Sequence, residues 1–465
     1  MWRNKTRSLV VITAATLGII SGVMVVGIME GWVKQRLHDA IYNEVSHLQI
    51  HNSEYLKNEE TDLTVKDTAE IAAAIGKLPG IKGWVSRTKM IAMANTPWAS
   101  TGVFIYGIDP DREKNVSEIY KKIVRGAGVY LEKDKPGNIL ISDKTAEVLK
   151  LKQYCLTKEV RDKLLAGKVP ENILSKLGNI INERYRSPRD FREVLKSLLT
   201  SKELDSYGRQ VMDSALDYRI RHKIQLTLSD EKGIPVQGTL RVCGIYRTTN
   251  SGFDQASAYV NSDDLASLYD GKRILIHEIA ILTDDIESVG SVREKLSGIS
   301  GSNSISTWKE LAPDASMMND FMVIYYFIFI GIVLFALAFG IINTMMMTIL
   351  ERTRELGMLM AIGMNRRKIF SMIMLETIFL TVVGALSGML AGWIIVGYFS
   401  KTGLHFSSWG EGFEAIGFAA TVYPVITPEF FALITVMVIL TAMISSIWPA
   451  RKALRLNPAE AIRTE

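Results

Sequence analysis

The sequence predicts an α-helical membrane protein with four transmembrane helices and a large α+β extracytoplasmic domain between the first and the second. Three observations lead there. Four apolar runs are each long enough to cross a hydrocarbon core, which takes about 20 residues. A long region between the first two runs alternates short strand-like and helix-like patterns. Across 465 residues the hydrophobic content is 48%, yet 22% are charged, and mean hydropathy is +0.14. That mixture suits a mosaic of apolar segments and water-facing parts better than one globule.

The runs are 9–29, 323–350, 369–399 and 430–448. Each is too long and too free of charge for the core helix of a soluble protein. They divide the chain into a start and first span (1–29), an outer domain (30–320), a second span (321–350) and a short charged segment (351–368). A third span (369–399), an outer loop (400–429), a fourth span (430–448) and a tail (449–465) follow. Orientation comes from the flanks. Arg3, Lys5 and Arg7 precede the first span, Arg352, Arg354, Arg366, Arg367 and Lys368 separate the second from the third, and Arg451, Lys452, Arg455 and Arg463 follow the fourth. The 400–429 loop sets Lys401 against Glu411, Glu414 and Glu429. The positive-inside bias therefore places both termini and 351–368 in the cytoplasm. The formal charge of +5 gathers at span ends, which reads as topology beside membrane lipid and not as nucleic-acid binding. The basic-then-apolar start resembles a signal peptide, but its apolar run exceeds the usual 7–15 residues or so and no A-x-A site ends it. It is read as a retained anchor.

Gly18, Gly22 and Gly27 lie in the first span, and Gly384, Gly388 and Gly392 recur at helix spacing in the third. Small residues let another helix sit close in lipid; the neighbour is in the same chain or a second subunit. Glu376, two turns into the third span, is ionisable at a costly depth, though shallow enough to snorkel. Beyond the first span a helix continues from Gly31 to about Ala40. Residues 47–52 alternate like a strand, and 65–78 read as an amphipathic helix with Ile71, Ile75 and Leu78 on one side. Strands are expected at 84–94, 102–108 and 138–142, and a helix at 144–151. The stretch 153–222, rich in Lys, Arg, Glu and Leu, reads as three or so helices with a net basic face. A solvated face is preferred there over contact with anionic lipid or an acidic partner. A hairpin joins 223–228 to 239–246 through Asp230, Gly233 and Pro235. Strands at 258–260 and 277–282, a helix at 286–296 and a linker at 301–306 complete the domain. Cys155 and Cys243 fall outside, where disulfides form, but Cys243 sits in an apolar strand-like run, so two unpaired buried thiols are expected.

Catalytic signatures are missing from the sequence. No G-x-x-x-x-G-K-[ST] occurs, and Gly76-Lys77 and Gly271-Lys272 lack both the preceding glycine and the following hydroxyl residue. The six histidines show no ligand spacing, His47 and His51 included, and no G-x-S-x-G appears. No catalytic residue, metal or cofactor is expected in this chain. The informative stretch is 351–368: Glu351, Arg352, Arg354 and Glu355, then Gly357, a Met/Leu/Ala face, Gly363 and Arg366-Arg367-Lys368. A short charged helix between two membrane-length runs cannot bury a core of its own. Its exposed face is free to touch a soluble partner.

The runs ERTRELGMLMAIGMNRRKIF, LETIFLTVVGALSGMLAG and WPARKALRLNPAEAIRTE resemble permease subunits of the MacB/LolC/LolE/FtsX class of ABC transporters, the type VII systems. In the outer region Gly107-Ile108-Asp109-Pro110, Ala258-Tyr259-Val260 before Asp263-Asp264-Leu265, and Trp308 are most similar to the lipoprotein-releasing LolC/LolE type, whereas ERTRELG is equally like MacB. The resemblance implies that Glu351, Arg352, Glu355, Leu356, Gly357, Ala361 and Gly363 form a coupling helix. That helix would dock on a separate cytoplasmic ATPase dimer, which binds ATP and Mg, with Arg451 and the Asn457-Pro458-Ala459-Glu460-Ala461 tail beside it. It further implies a second permease copy or paralogue, a periplasmic carrier or adaptor, and mechanotransmission of ATPase closure to the outer domain. For a lipoprotein substrate, Val23, Val26, Phe321, Ile324, Phe327 and Ile328 would line an apolar cleft. MacB-type efflux of macrolides, peptides or siderophore-like molecules, or FtsX-like regulation of a cell-wall hydrolase, are the other implied activities. The sequence departs from the class in the 153–222 insertion, in a hairpin turn at 230–237 shorter than a carrier-capturing loop, and in starting at WRNKTRS, where relatives have an amphipathic helix.

Overall fold

The computed structural model describes residues 5–229, 233–269, 274–406, 410–415 and 417–454. Arg3, Asp230, Gly271, Lys272, Arg455, Arg463 and the Asn457-to-Ala461 tail lie outside the described residues, as do the side chains of Lys5, Arg7, Glu411 and Glu414. Among the described residues four helices are long and apolar enough to cross a membrane: Lys5–Asp39, Pro313–Glu351, Arg366–Thr402 and Pro428–Ala453. This is a multi-pass membrane protein. The helices outrun their apolar stretches because polar residues at the ends still close the i to i−4 hydrogen bonds. At 35 and 39 residues the first two extend roughly 52 and 58 Å at 1.5 Å per residue. A hydrocarbon core is only about 30 Å thick.

The chain divides into two compact units, one holding the four long helices and the other His38–Ser316. Within the helical unit the third helix lies flush on the first. A Cβ on Gly384 would sit 2.7 Å from both Ala15 Cβ and the Ile12 carbonyl oxygen, and one on Gly388 3.0 Å from Ile19 Cβ and the Thr16 oxygen. Thr16 Oγ1 uses that proximity, donating to the Gly384 carbonyl at 3.1 Å and lying 2.8 Å from Ser387 Oγ. The neighbour of the glycine stripe is thus this chain's own first helix. Around this contact Ile19, Val23 and Val26 pack with Tyr326, Ile330, Ile341, Ile434 and Val438. The 400–429 loop covers the end of the first helix, where Trp32 stacks against Phe406 and Phe413 at 5.3 and 5.0 Å and donates to the Ala419 carbonyl.

The α+β unit is a mixed sheet. Its strands are β1 (Leu48–Asn52), β2 (Ile81–Asn95), β3 (Ser100–Ile108), β4 (Ile123–Gly128) and β5 (Asn138–Ser142). After an inserted three-stranded piece, β6 (Lys152–Cys155), β7 (Arg184–Tyr185) and β8 (Leu216–Tyr218), come β9 (Lys223–Ser229), β10 (Pro235–Tyr246), β11 (Ser257–Asn261), β12 (Glu278–Thr283) and β13 (Asn303–Thr307). Among the described residues the order is β13-β1-β12-β2-β3-β11-β5-β10-β4, with β9 paired to both β10 and β2. β3 with β11 and β5 with β10 run parallel. The expected hairpin closes with Ser229 opposite Pro235. The segment read as a linker, 301–306, is instead an edge strand on β1. Its Ser, Asn and Gly content suggested a loop, but the alternate Ile305 is buried. The amphipathic helix near residue 70 starts only at Thr68, because Val65 is still extended, its N–H on the Ile276 carbonyl.

The insertion also differs from its sequence reading. Four helices, Lys158–Ala166, Glu171–Lys176, Pro188–Leu198 and Ser201–Ala215, pack beside a small sheet ordered β7-β6-β8. Leu164, Ile173, Leu177, Phe191, Leu195 and Val211 form a core of their own. Strands of two to four residues leave no periodic signal, so only the helices were legible. Cys155 and Cys243 are free thiols, and burial pushes Cys243 up to about 12.

Charge is buried inside the main sheet. Arg87 of β2 donates to both Glu113 oxygens at 3.0 and 2.6 Å and to Glu278 of β12 at 2.8 Å. Burial opposes the charge on Glu278, but Arg87 and the nearby His51 and Lys89 outweigh it and hold the carboxyl below its usual range. His47, His51 and His277 are lowered, chiefly by burial, His47 to about 4.

Two outcomes are expected. Gly384→Val overpacks the first and third helices at a cost of about 1–3 kcal/mol, lowering the thermal midpoint in detergent, whereas Gly397→Val, with nothing within 4 Å of its Cβ position, leaves it unchanged. The three histidines bind protons less readily folded than unfolded. Their stabilisation is complete above the ordinary histidine value of about 6.5, declines below it, and for His47 is gone near 4; Glu278 adds a loss in the same direction at lower pH. Amide-exchange protection factors of β1 and β12, corrected for the intrinsic pH dependence of exchange, should therefore fall from pH 7 to pH 5, and His47→Gln should flatten that slope.

Candidate functional site

The segment joining the second and third long helices is built from local rules. The second helix stops at Glu351, and Arg352 interrupts it with φ −96° and ψ 13°. A short helix, Thr353–Ala361, follows. It ends because Gly363 takes φ +94°, a left-handed conformation that costs a side-chain-bearing residue. The Gly363 N–H reaches the Met360 carbonyl at 3.1 Å and the Met364 N–H the Leu359 carbonyl at 3.0 Å, the paired bonds of a Schellman stop. Asn365 then caps the third helix, its side chain accepting from the Arg367 N–H at 3.0 Å. Helix stop and helix start are two residues apart.

Arg352 clamps the turn. Its Nη1 donates to Glu376 of the third helix at 2.9 Å, and its Nε lies 3.5 Å from Glu355. Glu376, read from sequence as a lone charge in a span, has its partner here. Leu356 and Gly357 are buried, Leu356 within the cluster containing Ile349, Ile369, Ile373 and Ala453. Of the residues assigned to the coupling helix, Arg352, Glu355, Leu356 and Gly357 thus hold the turn in place. Glu351, Ala361 and Gly363 are exposed, together with Arg354, Met358, Ile362, Met364 and the Arg366-Arg367-Lys368 trio. Ile362 is 85% exposed. Sequence reasoning missed Met358, Ile362 and Met364; the available signal was an isoleucine at the helix end directly before the stopping glycine, a position with no core side. Arg451 is exposed at the end of the fourth helix.

The other sequence-selected sets fare differently. Gly384, Gly388 and Gly392 share the face against the first helix, Gly392 with its Cβ position 3.3 Å from Val23 Cγ1. The six cleft residues are not brought together. Val23 and Val26 are fully buried, while Phe321, Ile324, Phe327 and Ile328 are exposed on the second helix. The inward face of that helix is Met322, Tyr326 and Ile330, with the Tyr326 hydroxyl donating to Glu30. A uniformly apolar helix carries no periodicity to tell its faces apart.

The FtsX-like permease C-terminal family matches residues 327–458, which include the short helix, the third and fourth long helices and the second from residue 327 onward. Over those residues the chain carries an FtsX-like permease C-terminal domain. It is 35% identical over 127 residues to the macrolide export ATP-binding/permease protein MacB of Chlorobium luteolum, covering 27% of this chain and 16% of that protein. An uncharacterized ABC transporter permease of Methanocaldococcus jannaschii is 28% identical over 233 residues, 48% of this chain and 55% of its own length. The pyoverdine export ATP-binding/permease protein PvdT of Pseudomonas putida is 32% identical over 27% of this chain and 16% of itself. The chain therefore spans about a sixth of the MacB and PvdT relatives and about half of the archaeal one. The extracellular domain of the ABC-type transporter YknZ is 12% identical over 56% of this chain and 99% of that chain, with a TM-score of 0.29.

If the Arg352–Glu376 pair clamps the FtsX-like turn, Arg352→Ala, Glu376→Ala and the double substitution should each cost no more than about 1 kcal/mol, with the double no worse than either single. Amide exchange across 353–364 is the measurement, and faster exchange in all three is expected.

Proposed function

We propose that this permease is the membrane subunit of an ABC transporter of the inner membrane, with cytoplasmic termini. Its 351–368 turn receives a nucleotide-hydrolysing partner that binds ATP and Mg outside these 465 residues. The supporting observation is the turn itself. An apolar tip, Met358, Ile362 and Met364, is held in water beside three basic residues on a backbone fixed by a Schellman stop, an Asn cap and the Arg352–Glu376 pair. Exposed apolar groups on a rigid support suit docking. Closure of an ATPase dimer would move two such turns together, and the first two helices, far longer than a bilayer is thick, would conduct that movement to the outer domain. A second permease copy completes the arrangement.

The proposed work is release of lipoprotein from the inner membrane. The exposed apolar face of the second helix, Phe321, Ile324, Phe327 and Ile328, offers a surface for acyl chains, and the outer-region segments already named favour this type. Efflux of macrolide- or siderophore-like molecules through a periplasmic adaptor is the second reading, favoured by the export proteins among the relatives.

Met358→Asp/Ile362→Asp should abolish copurification with the ATPase and stimulation of its activity while leaving the thermal midpoint in place. Leu356→Ala should instead destabilise the chain, by about 2–5 kcal/mol. Retained ATPase association in the double aspartate variant would refute the docking assignment. Cysteine crosslinking from Ile324 separates the two substrate readings, according to whether an acylated protein is captured.

A further inference from the structure

The insertion returns to the main sheet along 216–223, and there the α+β unit forms a concave groove of about 810 Å³ lined by Arg184, Arg186, Asp217, Arg219, Arg221 and His222, among others. Trp98 lies behind three of these side chains. The Arg219 guanidinium lies 4.6 Å and that of Arg186 5.6 Å from its ring centre, and the His222 ring stacks on it at 5.0 Å. Among the described residues none of the four arginines pairs with a carboxylate. The nearby acids are already engaged: Asp217 accepts from Gln153 at 2.6 Å, and Asp143 and Glu147 are held by Lys152 at 3.0 and 2.9 Å. Burial and then the repulsion of Arg186 and Arg184 lower Arg219. The buried Nε2 of His222 has no hydrogen-bond partner.

Four arginines around a single carboxylate, Asp217, leave a net positive charge in the lining, and a concavity of this size falls in the range of about 300–1,000 Å³ that takes small molecules. Guanidinium pairs grip oxyanions through paired N–H bonds, and the indole behind them holds Arg186 and Arg219 in place. We propose that this groove binds a soluble small molecule bearing two or more oxyanion charges, phosphate or carboxylate, between the insertion and the main sheet. It engages Arg184, Arg186, Arg219 and Arg221. The insertion, which lies outside the matched FtsX-like residues, thereby gives the outer domain a ligand site separate from the membrane helices.

The test uses the full chain in zwitterionic nanodiscs, titrated calorimetrically with inorganic pyrophosphate and with citrate at constant ionic strength. Saturable binding of at least one is expected. Arg186→Gln/Arg219→Gln should weaken it at least about tenfold, given 1.5–3 kcal/mol for a charged hydrogen bond. Asp217→Asn, which removes the carboxylate from the lining, should tighten it roughly threefold. Arg186→Lys/Arg219→Lys, keeping charge but losing the fork, should fall between wild type and the glutamine variant. Binding that is equal in all variants, or stabilisation that sodium chloride alone reproduces, overturns the proposal. Loss of wild-type pyrophosphate binding in phosphatidylglycerol nanodiscs would assign the groove to a lipid headgroup and overturn the soluble ligand.

Discussion

The helical unit depends on how closely the first and third helices approach. In lipid, apolar side chains gain nothing by meeting one another, so association rests on van der Waals contact and on hydrogen bonds between helices. Gly384 and Gly388 remove the side chains that would hold the backbones apart, and Thr16 converts the approach into a bond to the Gly384 carbonyl. Ile19, Val23 and Val26 can then sit in one layer with residues of the other three helices. A larger residue at 384 would disturb every contact in that layer at once.

The turn after the second helix combines an exposed surface with an anchored backbone. Its charged residues do not point outward as a set. Arg352 reaches back to Glu376 and Glu355, and Leu356 sinks into the helical core. What remains exposed is an apolar tip flanked by arginines and a lysine. A helix of nine residues is too short to be stable alone, so its rigidity comes from these anchors and from the two caps.

Much of the fold was legible in the sequence because its signals are strong and local. Four apolar runs, an exact strand at 138–142 and the hairpin into β10 rest on period and turn chemistry. The site was legible only in part. That ERTRELG lies at the turn follows from its charge between two spans, but which of its residues face out depends on how the third helix packs back against the turn. Glu376 could not be paired with Arg352 from spacing, nor could the four cleft residues on the second helix be separated from Val23 and Val26. The edge strand β13 was missed for a related reason: it is polar on one face and finds its ladder on β1, over 250 residues earlier.

The α+β unit treats charge in two opposite ways, and the contrast separates structure from binding. Where Arg87 is buried, two carboxylates accept a hydrogen bond from each of its three nitrogens, since a buried ion without partners would cost several kcal/mol, on the order of 3–5 when one partner is removed. At the root of the insertion four guanidiniums converge on open space while the neighbouring acids are held by Lys152 and Gln153. A fold able to neutralise Arg87 completely had the means to neutralise Arg219. Partly exposed arginines left uncompensated around Trp98 are affordable because water screens them, and the same incompleteness lets an incoming anion supply what the protein does not.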